Sequence, residues 1–325
     1  MKNTLRGLLL AISVSAACLC GVARAQTYPT KPISIVVPFA PGAGSDLIAR
    51  LLAQKLAARI GQPVVVQNRA GASGIIGARF VAGAPADGYT LLYTPSSFAF
   101  VQFVVKTEPS VSYDPLNGFT PIIEAGRAPV FLVTSSTSGF KTFQEAALAA
   151  KTTRLAYGSA GTGSILHIIG EVVNKATGVD FAHIPYKGVA PAIQDVLGGQ
   201  IPFAYGSLST IKPFMASGKL LPLAVTTRDR SKFAPEVPSL NELGYKGLDL
   251  GSWNGLLGPK GMPAVAVKTL NMHLNEILKM PDVIERMASE GASPVGGPPE
   301  KFGETIAVDH SRFGKMIKEL NITAN

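Results

Sequence analysis

Short runs of consecutive apolar residues alternate along this chain with longer stretches in which apolar residues recur every three or four positions. The short runs are typical of strands buried on both faces, and the longer stretches of amphipathic helices. The predicted strands are 33–37, 64–67, 89–93, 130–133, 155–157, 181–184, 203–205, 221–225 and 256–259. The predicted helices are 47–59, 75–82, 141–151, 165–177, one that ends at 197, 208–216, 264–279, 281–289 and 299–320. Alternating strands and helices predict an α/β fold built on parallel sheets.

Segments rich in glycine and hydroxyl residues follow several of these strands. Residues 41–45 read Pro-Gly-Ala-Gly-Ser and residues 158–164 read Gly-Ser-Ala-Gly-Thr-Gly-Ser, and each segment opens a predicted helix. Glycine lets backbone N–H groups approach a ligand closely, and the first turn of a helix leaves N–H donors unpaired. Because ligands of open α/β sheets bind beyond the carboxyl ends of the strands, we expect these loops to grip a carboxylate.

The N-terminus has the composition of a secretory signal peptide. A positively charged start precedes an apolar run over residues 8–22 and the small-residue triplet Ala-Arg-Ala at 23–25. We therefore predict that residues 1–25 are removed and that the mature protein is periplasmic. Both cysteines, Cys18 and Cys20, lie in this segment, so the mature chain should have neither a disulfide nor a cysteine ligand. A lipid anchor on either cysteine stays open as an alternative.

The charge of the chain favours a small anionic ligand. The formal charge is +9 at pH 7, and removal of Lys2, Arg6 and Arg24 leaves 27 basic and 21 acidic residues, or +6. The basic residues are scattered and are not interleaved with aromatic ones, which argues against nucleic-acid binding. No later apolar run is long enough to span a bilayer. We expect a monomer that needs neither a cofactor nor a metal ion.

The length predicts two lobes, since about 300 mature residues exceed what one hydrophobic core usually organises. Residues 105–121 are rich in polar and turn-forming residues and predict a segment that crosses between lobes. The expected bounds are 26–124 and 226–325 for lobe 1, and 125–225 for lobe 2. The chain would then cross between the lobes near Ile123 and again near Val225.

Ordered motifs along the whole mature chain resemble those of the Bug family, the periplasmic solute receptors of tripartite tricarboxylate transporters. The clearest are Pro38–Gly42 with Asp46, Asn68–Gly74, Asp87–Leu92, Gly161–Ser164 with His167, and Ile184–Ala192. The resemblance implies a type II periplasmic binding protein fold, in which two Rossmann-like lobes enclose a cleft. It further implies that the cleft closes on a small organic carboxylate and that the receptor delivers this ligand to integral membrane transporter subunits.

The resemblance and the loop positions together predict a ligand site. Its residues are Phe39, Gly42, Ala43, Ser96, Ser97, Gly161, Thr162, Gly163, Ser164, Tyr186, Lys187, Gly188, Gly206 and Ser207. Phe39 would supply an apolar wall, and the similarity implies that backbone N–H groups and ordered water hold the carboxylate. For Tyr186 the alternative is a core aromatic residue, and for Lys187 a solvated lysine.

The chain also departs from the family pattern. Ala43 occupies a usual glycine, and Gly206 and Pro202 stand where acidic residues are frequent. Loss of those acids removes a partner for an amino group. The departures therefore favour plainer or more apolar mono- and dicarboxylates, aromatic ones included, over amino acids.

Other function classes have weaker support. Residues 157–161 read Tyr-Gly-Ser-Ala-Gly, which is close to the Gly-x-Ser-x-Gly motif of hydrolases, but tyrosine stands first and no acid follows in the expected context. Gly42-Ala43-Gly44 lacks the third glycine of a dinucleotide site, and the chain has no P-loop. The four histidines have no metal-ligand spacing, and His167 fits a capping or packing residue. A sensory receptor that presents its ligand to a signalling partner stays open, because the partner surface has no motif.

Overall fold

The computed structural model describes residues 28–42, 44–106, 108 and 112–322. The predicted signal peptide and Ala43 lie outside the described residues. The strands are β1 Ile33–Val37, β2 Val64–Asn68, β3 Thr90–Pro95, β4 Phe119–Ser135, β5 Ala156–Ser159, β6 Ala182–Pro185, β7 Phe203–Ser207, β8 Leu220–Val225, β9 Gly251–Pro259 and β10 Ser293–Pro294. The helices are α1 Gly44–Ile60, α2 Ile75–Ala82, α3 Val101–Val104, α4 Phe143–Ala149, α5 Ile165–Thr177, α6 Val189–Leu197, α7 Leu208–Ala216, α8 Ala264–Ile277, α9 Pro281–Ser289 and α10 Pro299–Glu319.

Two sheets share the long strand β4, which confirms the predicted two-lobed α/β architecture. In lobe 1 the strand order is β2-β1-β3-β9-β4, with β1, β2 and β3 parallel. In lobe 2 the order is β4-β7-β5-β6, with β5, β6 and β7 parallel. The partner of β4 changes abruptly, because Pro129 pairs with Gly251 of β9 whereas Val130 pairs with Ser207 of β7. The hinge between the sheets therefore lies at Pro129 and Val130.

The amino-terminal half of β4 is where the sequence interpretation was wrong. Residues 105–121 were expected to cross between the lobes, and no strand was predicted before residue 130, whereas β4 begins at Phe119 and contains Pro121 and Pro129. Proline inside a strand normally argues against a strand, since it cannot donate to the ladder. Here the register shifts between Pro121 and Ile123 and again between Glu124 and Gly126. The two register shifts allow residues that are unfavourable in a strand to lie within β4. Pairing with β9 outweighs the low strand propensity of these residues.

Three apolar clusters form the core, one within each lobe and one that extends from lobe 1 into lobe 2. One packs α1 and α8 on one face of the first sheet, and another packs α6 and α7 on one face of the second sheet. The third runs from lobe 1 into lobe 2 and includes Phe302 and Phe313 of α10 with Ile168 and Ile169 of α5. Trp253 lies at the hinge end of β9 and is 2 % exposed. A continuous core across the hinge supports a defined arrangement of the two lobes.

The segment between β8 and β9 packs on lobe 2. Ala234 and Val237 belong to the apolar cluster that also contains residues of α6 and α7. The ring of Tyr245 lies edge-on to Phe143 of α4, with 5.3 Å between the ring centroids. By pairing and packing, residues 130–250 go with the second sheet, a longer stretch than the expected 125–225. The lobe bounds themselves stay a prediction. No helix among the described residues is both long and apolar enough to cross a membrane.

Candidate functional site

The loops that follow the parallel strands meet where the two lobes face each other. Ser73 Oγ in lobe 1 donates to the Thr162 carbonyl in lobe 2 at 3.4 Å. Gly163 lies against α3 and the residue after it, because a Cβ atom there would be 3.2 Å from Val105 Cγ2 and 3.5 Å from Val104 Cγ1. We call this place the rim cleft. Its loops are loop 1 (residues 38–42), loop 2 (69–74), loop 5 (160–164) and loop 6 (186–188).

Loop 1 is held by a buried carboxylate in the first turn of α1. Asp46, 1 % exposed, accepts hydrogen bonds from Gly42 N–H at 2.9 Å, Arg50 Nε at 3.0 Å and Asn68 Nδ2 at 2.8 Å. Asn68 Nδ2 also donates to the Phe39 carbonyl at 3.0 Å, which ties the loop to the end of β2. The N–H group of Gly42, which the sequence assigned to a ligand carboxylate, is therefore occupied by a carboxylate of the protein.

The electrostatics of this contact favour the charged form of Asp46. Burial by itself would raise its pKa, but the hydrogen bonds from Arg50, Gly42 and Asn68 outweigh burial and leave the pKa below its usual value. The carboxylate is thus ionised at neutral pH. A negative charge at this helix end is also favoured by the helix dipole.

Phe39 and the two serines after β3 are the other predicted ligand residues of lobe 1. A Cβ atom at Gly74 would be 3.4 Å from Phe39 Cζ, so the phenyl ring lies against loop 2. Ser96 is fully buried and its Oγ lies 3.2 Å from Ser252 Oγ on β9, while Ser97 is 5 % exposed. Phe39 is partly accessible, and the two serines expose little surface to the cleft.

In loop 5, as in loop 1, a glycine N–H group donates to the side chain four residues later. Gly161 and Gly163 have φ values of 116° and 79°, which favour glycine. The N–H of Gly163 donates to His167 Nδ1 at 3.2 Å, four residues along the chain, as Gly42 donates to Asp46. Gly161 N–H donates to Ser159 Oγ at 3.1 Å. Ser164 Oγ accepts from His167 N–H at 3.3 Å and caps α5, so its hydroxyl hydrogen can still donate to a ligand.

Two histidines stack beneath loop 5. The rings of His167 and His183 have centroids 3.8 Å apart and lie 15° from parallel, and His183 Nε2 is 2.7 Å from Ser159 Oγ. Burial, and next the neighbouring His183, lowers the pKa of His167 to about 3; burial lowers the pKa of His183 to about 4. The packing role expected for His167 agrees with this geometry. The partnership with His183 could not be found in the sequence, because the two residues come from different elements.

The neutral pair predicts a loss of stability in acid. In the unfolded chain a histidine binds a proton below about pH 6.5, whereas the folded pair stays neutral down to about pH 4. Since the unfolded state binds more protons in this window, stability is complete above pH 6.5 and falls as the pH drops. We expect a loss of about 3 kcal/mol from the pair between pH 7 and pH 5. Urea unfolding at both pH values measures it, and a His167→Asn, His183→Gln variant with the same pH dependence as wild type would contradict it.

Loop 6 and the end of β7 complete the lobe 2 side. Tyr186 Oη donates to Asp195 Oδ2 at 2.6 Å, and burial together with this hydrogen bond raises the pKa of Tyr186 to about 12. Lys187 is exposed, and Gly188 precedes α6 with a φ of 113°. The hydroxyl of Tyr186 is therefore engaged with α6, although its ring can still line the cleft.

Gly206 and Ser207 lie where β7 meets α7. A Cβ atom at Gly206 would be 3.0 Å from Ile211 Cγ2, so packing on α7 accounts for this glycine. Ser207 Oγ lies 3.0 Å from Ser209 Oγ and 3.3 Å from Thr210 Oγ1. These hydroxyls form a small polar group at the hinge end of lobe 2.

The described site residues thus lie on the rim loops and strand ends, but the available donors differ from those expected. The N–H groups of Gly42, Gly161 and Gly163 have partners inside the protein, whereas Ser164 and Ser207 are partly exposed residues with hydroxyl groups. Ala43 lies outside the described residues. Ligand contact by each of these residues stays a prediction.

A separate cavity of about 970 Å³ lies beside the hinge, between α10 and residues 227–233. It contains none of the predicted ligand residues. Two of its arginines are paired with neighbouring acids, Arg127 with Glu124 at 2.5 Å and Arg312 with Asp309 at 3.0 Å. These two arginines are thus matched by acids of the protein. Among the described residues, no group of three or more histidine, cysteine, aspartate or glutamate side chains could hold a metal ion.

Comparison with known proteins shows a family. Residues 48–322 match the model of the tripartite tricarboxylate transporter family receptor. The chain is 36 % identical over 313 residues to Protein BugT of Bordetella pertussis, with 96 % of each chain covered. Two solved structures from Rhodopseudomonas palustris are also similar. Rpa4515 with adipate is 32 % identical, with a TM-score of 0.83 over 91 % of this chain and 100 % of that one. MatC with bound malate is 28 % identical, with a TM-score of 0.79 over 89 % and 100 %.

These matches confirm the predicted type II periplasmic binding protein fold with two Rossmann-like lobes. They cover nearly the whole described chain, so the similarity extends over both lobes and the hinge. The relatives include periplasmic binding proteins, one of them with adipate and one with malate. The chain therefore belongs to the Bug family, the receptors of tripartite tricarboxylate transporters.

Proposed function

We propose that this protein is an extracytoplasmic receptor that binds a small organic carboxylate in the rim cleft and delivers it to membrane subunits of a transporter. The observation that carries the proposal is the convergence of loops from both lobes at one place, where Ser73 contacts Thr162. Adipate and malate in two relatives support a carboxylate as the ligand class. Closure of the lobes would bury the ligand and mark the loaded state for the transporter.

Tight binding of a carboxylate requires few hydrogen bonds. A hydrogen bond to a charged group contributes roughly 1.5 to 3 kcal/mol, and a micromolar affinity needs about 8 kcal/mol. Four or five hydroxyl and backbone donors therefore suffice without an arginine. Ser164 and Ser207 would donate hydroxyl hydrogens, while Phe39 and the ring of Tyr186 would contact the carbon skeleton.

The acidic residues near the rim cleft are already hydrogen-bonded within the protein, which argues against a ligand with an amino group. Asp46 accepts three hydrogen bonds from the protein, and Asp195 accepts the hydroxyl of Tyr186. Position 206 is a glycine, so it offers no carboxylate. An ammonium group of a ligand would lose its water without gaining a charged partner. We therefore expect carboxylates without an amino group to bind more tightly than amino acids.

A hydrolase is the second candidate, because Ser159 Oγ lies 2.7 Å from His183 Nε2. Ser159 is fully buried, however, and its hydroxyl also contacts the N–H and the carbonyl of Gly161. The ring next to His183 is another histidine, whereas a catalytic triad places a carboxylate there. A buried serine without an orienting acid supports binding without catalysis.

A thermal-shift screen tests the proposed function. Adipate, malate, benzoate and aspartate are compared with the amides of the same acids, and ester hydrolysis is followed in parallel. We expect at least one acid without an amino group to raise the melting temperature, with no shift from its amide and no ester turnover. A protein that responds to amides as well as acids, or that hydrolyses esters, would contradict the proposal.

A further inference from the structure

Loop 5 has one backbone hydrogen bond of its own, from the Ser164 N–H to the Gly161 carbonyl at 3.1 Å. Gly161 and Gly163 carry no side chains, and both have positive φ values, so the backbone at these positions is freer than at other residues. Side chains outside the loop therefore add to what its single internal hydrogen bond can fix. The loop receives such support at both glycines, from Ser159 at Gly161 and from His167 at Gly163.

The supporting groups come from three elements and contact one another. Ser159 ends β5, His167 lies in the first turn of α5, and His183 lies in β6. The two imidazole rings stack, and His183 is hydrogen-bonded to Ser159, so each group limits the movement of the next. Only an unprotonated ring nitrogen can accept the hydrogen bond from the Gly163 N–H, so Nδ1 of His167 must carry no proton. We call these three residues the support unit.

Loop 5 is also one of the places where lobe 2 contacts lobe 1. Its Thr162 carbonyl accepts the hydroxyl of Ser73, and Gly163 lies against Val105. A displacement of the loop by a fraction of an ångström would alter both the ligand donors on lobe 2 and the contact that accompanies closure. The support unit therefore lies in a position to affect binding without any contact with the ligand.

We infer that Ser159, His167 and His183 are positioning residues that fix loop 5 in the geometry that binds a carboxylate. This inference rests on the function proposed above. The acceptor at His167 Nδ1 is the essential feature, because it determines the direction of the Gly163 N–H and of the peptide before it. If the two histidines only filled space in the core, an apolar side chain of similar size would serve as well.

Two variants separate positioning from core packing. His167→Leu fills the site but removes the acceptor, whereas His167→Asn keeps an amide oxygen near the position of Nδ1. His273→Asn on α8 of lobe 1 is the matched control. Hydrogen exchange of residues 160–164 is measured without ligand, and adipate is the probe for affinity by calorimetry.

We expect His167→Leu to raise exchange in loop 5 and weaken adipate binding about tenfold or more. His167→Asn should restore both properties to within threefold of wild type, as should His273→Asn. Unchanged exchange in His167→Leu overturns the inference, and so does raised exchange with unchanged affinity. Failure of wild type to bind adipate or any other acid would contradict the proposed function instead, while the exchange measurement would still decide whether His167 positions the loop.

Discussion

Replacement of Asp46 by alanine is expected to abolish carboxylate binding and to lower the free energy of unfolding by about 3 kcal/mol. The carboxylate is 1 % exposed and accepts hydrogen bonds from Gly42, Arg50 and Asn68. Its removal leaves the Gly42 N–H and the Arg50 Nε without this acceptor, so that, of these side-chain hydrogen bonds, only the one from Asn68 to the Phe39 carbonyl still ties loop 1 to the end of β2. Urea unfolding measures the stability, and calorimetry with the acid found in the screen measures the affinity.

A surface aspartate provides the control for this change. Asp282 pairs with Lys55 on the outside of lobe 1, where an exposed ion pair contributes little. Asp282→Ala should therefore bind the acid as wild type does and unfold within about 0.5 kcal/mol of it. Wild-type affinity in Asp46→Ala would remove loop 1 from the binding site, whatever the change in stability.

The position of the rim loops could be predicted from the sequence because it follows from strand order. Once β1 and β5 are recognised as buried strands that precede glycine-rich loops, parallel pairing places those loops at the carboxyl edge of each sheet. Helices such as α2, α5 and α7 have the bounds that their apolar periodicity predicts. Here the local pattern and the tertiary structure agree.

The hydrogen-bond partners of the glycine N–H groups in these loops could not be predicted so directly. The sequence suggests that glycine N–H groups are free, yet Gly42 and Gly163 each donate to the side chain four residues later. The spacing to Asp46 and His167 is visible in the sequence, but it does not show that the side chain folds back over its own loop. Contacts between remote elements, such as His183 with Ser159, leave no local signal at all.

The amino-terminal half of β4 is the other part that local reasoning missed. Pro121 and Pro129 lie inside β4, and each is a signal against a strand. The strand forms because β9 and β7 offer partners on consecutive stretches of it. The two prolines and the register shift at Glu124 therefore make the pairing of β4 irregular near the place where the lobes join.

Gly163→Val should weaken binding of the acid at least 100-fold, the equivalent of about 2.7 kcal/mol. A Cβ atom at this position would be 3.2 Å from Val105 Cγ2 and 3.5 Å from Val104 Cγ1, and the valine methyl groups would reach further. The lobes could then not approach as closely as they do here. Small-angle scattering with and without the acid should show a radius of gyration that falls for wild type and not for the variant.

Strain at position 163 must be separated from this contact, because φ is 79° there and a branched residue is disfavoured at positive φ. Gly178 provides the match, since it ends the same helix with φ 72°, and a Cβ atom there would meet no heavy atom within 4 Å. Gly178→Val should therefore lose about as much stability, roughly 1 to 2 kcal/mol, yet bind the acid within threefold of wild type. Equal affinities in the two variants would mean that closure does not depend on the contact between loop 5 and α3, and the rim cleft would then have to bind its ligand in another arrangement of the lobes.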